Sequence, residues 1–136
     1  MTLELDCDLQ LVVASGRTIP VSAHFSYRPG DPYSIHVDFS ITGRAPVSWV
    51  FARDLLTEGT VRPSGLGDVR IWPGGAQQSG FLCFELSSPD GQAVFTVPAN
   101  VVRPWLDKTH QLVPADLEGA SLDLDSELSR LLGEAA

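Results

Sequence analysis

The first 41 residues alternate apolar and polar side chains with a period of two, and that rhythm leaves the chain little choice but antiparallel sheet. Leu3, Leu5, Cys7, Leu9, Leu11 and Val13 share one side, while Glu4, Asp6, Asp8 and Gln10 share the other. A strand places successive side chains on opposite faces, so this stretch is a strand with one dry and one wet face. Val21, Ala23, Phe25 and Tyr27 repeat the pattern against Ser22, His24, Ser26 and Arg28, and Tyr33, Ile35, Val37, Phe39 and Ile41 repeat it against Ser34, His36, Asp38 and Ser40. Pro29-Gly30-Asp31-Pro32 turns the second run into the third, giving a three-stranded meander.

Beyond Pro46 the alternation weakens. Val47, Trp49, Val50 and Phe51 read as a strand, Arg53 to Glu58 as a short helix ended by Gly59, and Arg62 to Gly67 as a loop. Val69 and Ile71 mark another strand. Phe81 to Ser87 and Ala93, Phe95 and Val97 form a hairpin about Pro89-Asp90-Gly91, which with the strand before it predicts a second small sheet. Val101, Val102, Trp105, Leu106, Leu112 and Val113 fall on one helical stripe that Pro114 ends, with Pro104 either starting or kinking the helix. A second helix is expected from about Asp125, since Leu124, Leu128, Leu131 and Leu132 keep i, i+4, i+7, i+8 spacing. The fold class is therefore α+β: two packed antiparallel sheets of about seven or eight strands, a short helix between them and C-terminal helices. Residues 1–136 form one domain, divided into a meander (1–42), a strand, short helix and second sheet (46–97) and the C-terminal helices (99–134).

Charge and motifs remove most chemistries. Seventeen acidic residues against nine basic ones give a net charge of −8, which repels a phosphate backbone. The acidic, alternating start has neither the basic residues nor the apolar stretch of an export signal, and the apolar runs are short for a membrane span, so a cytoplasmic location is expected. Cys7 and Cys83 lack metal or redox spacing and read as small buried residues. Gly65-Leu66-Gly67 lacks the third glycine and the following helix that cradle a phosphate. No catalytic group, cofactor site or metal site is predicted.

Two weaker constellations remain. With Gly30 at the centre of the turn, His24 would face His36, with Asp38 beside them, making a corner one ligand short of a structural zinc site. Glu4, Asp6 and Asp8 make an acidic edge that reads as a solvated face. Among the tryptophans, Trp49 and Trp105 sit in apolar surroundings, whereas Trp72 lies at a strand end beside Arg70, a pairing common at contact surfaces, with burial against the other sheet as the competing and favoured reading. The leading contact residues are Arg53, Asp54 and Glu58 on the short helix, with Arg62, Arg70 and Trp72 nearby.

The order of motifs resembles the SsgA-like family of actinomycete sporulation and cell-division proteins, of the SsgB type. It is carried by LVV at Leu11 to Val13, DPY at Asp31 to Tyr33, WVFARDLL at Trp49 to Leu56, Glu58-Gly59, RPSGLGDVRIWP at Arg62 to Pro73, LSSPDG at Leu86 to Gly91 and DLDSELSRLL at Asp123 to Leu132. The resemblance implies a Whirly-like fold, a small homo-oligomer expected to be a trimer, and a non-enzymatic role at the division septum. It implies recruitment of the tubulin-like division GTPase FtsZ, together with an SsgA-type relative, in marking septum sites for sporulation. The alternative is a single-stranded nucleic-acid-binding module, suggested by the implied fold and opposed by the charge.

Overall fold

The computed structural model describes residues 1–40, 45–75 and 79–114. Strands β1 (Leu3–Ala14), β2 (Arg17–Tyr27), β3 (Ser34–Ser40) and β4 (Val47–Ala52) lead into helix α1 (Arg53–Gly59). Strands β5 (Val69–Pro73), β6 (Phe81–Ser88) and β7 (Gly91–Pro98) then lead into helix α2 (Ala99–Leu112).

The strands form a single antiparallel sheet in the order β4-β3-β2-β1-β7-β6-β5, not two sheets. The seam between the halves is short, pairing Gln10 with Thr96 and Leu11 with Phe95. The sheet nonetheless behaves as two layers because it curls. Phe39 on β3 stacks on Phe95 of β7 with ring centroids 5.0 Å apart, and Phe51 on β4 meets Phe84 on β6 at 6.3 Å. In a flat sheet β4 and β6, five places apart, would be separated by about 24 Å.

The alternating residues fill the curl as their pattern requires. Leu9, Val21, Phe25, Tyr27, Ile35, Val37 and Phe39 are all buried. Val13 departs from it. The β1–β2 register shifts between Val12 and Ala14, and Val13 turns outward, 49% exposed. Tyr33 precedes β3 and is 37% exposed, so the inward run begins at Ile35.

Helix α2 closes one side of the curl with Val102, Trp105, Leu106 and Thr109 buried, and Phe25 meets Trp105 edge to face at 5.8 Å. Pro104 neither starts the helix nor ends it; it lies inside, on the exposed side. The carbonyl that loses its intrahelical donor there belongs to Asn100, also exposed, where the lost bond costs less than it would in the core. The helix expected from Asp125 lies outside the described residues.

Candidate partner-docking site

Helix α1 begins where β4 ends, its first N–H donated to the Tyr33 carbonyl at 2.7 Å. Asp54 and Glu58, four residues apart and both exposed, share its outer side. Its far end is pressed onto the sheet at Gly59, which is buried and belongs to the helix rather than to a left-handed cap. A Cβ on Gly59 would overlap the side chain of Ile71 on β5, so the absence of a side chain is what allows helix and strand to approach so closely.

The chain then loops back along the outer edge of β5. Ser64 and Ile71 exchange N–H to carbonyl bonds of 2.8 and 2.9 Å. Gly65 follows with φ of 100°, where a side chain would also collide with the Val69 carbonyl. This geometry throws Leu66 into solvent at 105% relative exposure, and Val61 is 65% exposed.

The result is an open recess of ≈ 770 Å³ lined by Glu58, Pro63, Leu66, Arg70, Trp72 and Glu85, among others. Trp72 is half-buried in its wall. Arg70 faces its cross-strand partner Glu85 at 3.5 Å, and Arg62 reaches back one helical turn to Glu58 at 3.7 Å. The Arg62–Glu58 pair is largely solvated and contributes about 0–1 kcal/mol to folding, whereas in the Arg70–Glu85 pair the guanidinium is exposed and the carboxylate mostly covered. They hold charge in place around an apolar Leu-Trp-Pro centre, the outer pair at little cost to break.

Of the six contact residues predicted, the structure brings Glu58, Arg70 and Trp72 into the recess and Arg62 to its rim, with Asp54 one helical turn away. Arg53 does not belong there. It is 0% exposed, the largest fully buried side chain of the described residues, so it cannot meet a partner. Its guanidinium lies 5.1 Å from the Tyr27 ring centroid and donates to the Thr109 carbonyl at 2.9 Å. That carbonyl stands in the last turn of α2, where the helix dipole favours a cation, and Arg53 adds a second, charged donor to the one it already has from the Val113 N–H at 2.9 Å. Arg53 thus fastens α1 to α2, beside a Thr57–His110 contact of 2.9 Å.

Sequence reading missed Leu66 and Glu85. An isolated leucine between two glycines was the available signal, since nothing local can cover it.

The histidine corner also changes. The β2–β3 register pairs His24 with Asp38 and Ser26 with His36, so the two histidines do not face each other. Two tight turns, Asp31 N–H to Arg28 O and Ser34 N–H to Asp31 O, shift the centre from Gly30 to Asp31. His24 instead lies between two β1 carboxylates, Nδ1 2.5 Å from Asp6 and Nε2 3.3 Å from Glu4. The Asp6 hydrogen bond raises its pKa above 6.5, with the Asp6 and Glu4 charges adding to the effect. Cys7 sits beneath the same carboxylates; burial, then Asp8 and Asp6, push its thiol up to about 11. Burial likewise raises Cys83. Both are inert free thiols.

A family model described as "Streptomyces sporulation and cell division protein, SsgA" matches residues 21–118. The sporulation-specific cell division protein SsgB of Streptomyces coelicolor is 43% identical over 98% of both chains. That of Salinispora tropica is 42% identical over 96% of this chain and 93% of its own. A structure from work correlating SsgB mutations with longitudinal cell division during sporulation of S. coelicolor superposes with a TM-score of 0.83 at 41% identity, covering 89% of this chain and 95% of that one. An SsgA-like sporulation-specific cell division protein from Thermobifida fusca superposes with a TM-score of 0.82 at 38% identity, covering 96% and 95%. The chain belongs to the SsgA family of sporulation and cell division proteins, with SsgB proteins as relatives along nearly its whole length.

Proposed function

We infer that this protein is a non-enzymatic adaptor of sporulation-specific division, which marks septum sites and recruits FtsZ through the recess between α1 and β5. The observation that carries the reading is Leu66, wholly exposed on a loop held rigid by the Ser64–Ile71 bonds, beside the half-buried Trp72. A protein gains nothing in folding from presenting a leucine this way. A partner that covers it gains its transfer from water, about 1.5–3 kcal/mol, with no loop left to order. Trp72 and Arg70 supply the residue types that concentrate binding energy, and the solvated Arg62–Glu58 pair can exchange partners at the rim.

Action together with an SsgA-type relative, a trimeric assembly and a position at the septum complete this reading. The nucleic-acid alternative finds no support on the wet face of β1–β3. Glu4, Asp6, Asp8 and Asp38 stand there, where tracking a phosphate backbone needs cations interleaved with aromatic rings.

Co-sedimentation with polymerised FtsZ tests the reading. The intact protein should pellet with polymer, and folded Leu66→Ser, Trp72→Ala and Arg70→Glu variants should pellet about tenfold less well. If the intact protein stays in the supernatant across salt and nucleotide conditions, direct recruitment is wrong. If it pellets and all three variants pellet equally, the recess is the wrong surface.

A further inference from the structure

The two edges of the sheet are treated differently. Strand β5 is guarded: Ser64 takes up the outward N–H and carbonyl of Ile71, Arg70 adds charge, and the strand ends on Pro73. Strand β4, at the other edge, is six residues long, VSWVFA, with no charge and no proline.

Its register identifies the open groups. The Arg53 N–H bonds to the Tyr33 carbonyl, one step past the Ser34–Ala52 pair. Bonded and non-bonded pairs alternate in an antiparallel ladder, so Phe51, Trp49 and Val47 bond to β3, while the N–H and carbonyl groups of Ser48 and Val50 point outward. Among the described residues no strand pairs with them. Both side chains are exposed, Val50 at 54%.

Along the inner side of this edge runs an apolar groove of ≈ 540 Å³. Val47 and Trp49 form one bank, Leu86 and Ala93 the other, and the stacked Phe39 and Phe95 lie between, with Asp90 at the hairpin turn. On the outer side Asp38 is held by the Ser48 hydroxyl at 2.6 Å. An added strand would therefore meet apolar surface on its inward side chains and a carboxylate near each face.

We propose that β4 accepts an extended segment of a partner protein as an eighth strand, and that this segment alternates apolar and basic residues. Its apolar side chains enter the groove beside Trp49, and its basic ones meet Asp38 and the acidic field of a chain of net charge −8. The same charge disfavours the other occupants. A second copy pairing β4 to β4 would make a two-fold contact, which a trimer does not use, and would bring the Asp38 and Asp90 carboxylates of both chains to one edge. The chain's own residues 115–136 carry Asp116, Glu118, Asp123, Asp125, Glu127 and Glu134 against the single Arg130. This surface is separate from the recess at β5, so either assignment can fail without the other.

The test uses the full-length chain, isotope-labelled for amide spectra, titrated with a capped heptapeptide alternating lysine and valine. The Ser48 and Val50 amides should shift with saturation and slow in hydrogen exchange, and salt should weaken binding. A glutamate-valine peptide should bind about tenfold less well, as should the lysine peptide to Val50→Pro, which removes an outward donor while keeping every β3–β4 bond. Val50→Lys, which keeps the donor, should weaken the lysine peptide and strengthen the glutamate one. The proposal is overturned if both peptides bind alike, if shifts map elsewhere or are absent at millimolar peptide, or if both variants bind the lysine peptide unchanged. It is overturned equally if these amides are already protected in the free chain, by its own tail or by a second copy.

Discussion

Arg53 shows how far a single side chain can depart from its sequence context. It opens a short surface helix, yet its partner Thr109 lies 56 residues downstream, and only the fold discloses that a helix terminus waits there for a cation. Replacing Arg53 by Leu should leave the Thr109 carbonyl with the Val113 N–H alone and, by removing the charged donor, cost about 1.5–3 kcal/mol, read as a lower urea midpoint with an unchanged slope. Its effect on partner binding should track that loss of stability and nothing more. His24 makes a second prediction at this scale. Because its pKa is raised in the folded state, its tie to Asp6 is fully present below pH 6.5 and is lost as pH climbs through the raised value. The imidazole titration followed by NMR should have its midpoint above 6.5, and Asp6→Asn should bring it back toward that value; a midpoint at or below 6.5 in the intact protein would contradict the contact.

Elements were legible where their signal is local. The period-two runs specified β1, β2 and β3, and their inward faces follow the pattern except at Val13, which the register shift turns outward, and Tyr33, which precedes β3. Gly59 was read correctly as the end of α1 and for the wrong reason: the requirement is contact with Ile71, which sequence distance hides, and not a left-handed turn. Gly59→Ala should therefore cost about 1–3 kcal/mol by forcing α1 away from β5, whereas a left-handed cap would lose a comparable amount without moving the helix. Thermal melts give the size. Amide shifts in Val69 to Pro73 distinguish the two causes, since displacement must disturb β5. The loop from Arg62 to Gly67 lies between these cases. Its glycines advertised a turn, but the exposure of Leu66 follows from the Ser64–Ile71 pairing and became visible with the fold.

At the scale of the molecule, two expected sheets became one curled sheet. The Gln10–Thr96 and Leu11–Phe95 seam joins residues more than eighty positions apart, and no periodicity encodes such a pairing. The packing survived the change because the apolar faces that would have met as two layers meet across the curl, through Phe39, Phe95, Phe51 and Phe84. The curl also leaves the α1–β5 corner free, with α2 fastened behind it by Arg53 and by Arg103, which donates to the Thr60 carbonyl at 2.8 Å. The recess is thus mounted on a rigid base, and binding there should require little rearrangement. Hydrogen exchange of the intact protein, alone and bound to FtsZ polymer, tests that claim most directly. The account predicts slowed exchange from Val61 to Leu66 and at the end of α1, with β1 and β2 unchanged; protection confined to β1–β3, with residues 61–66 exchanging as in the free protein, would contradict it.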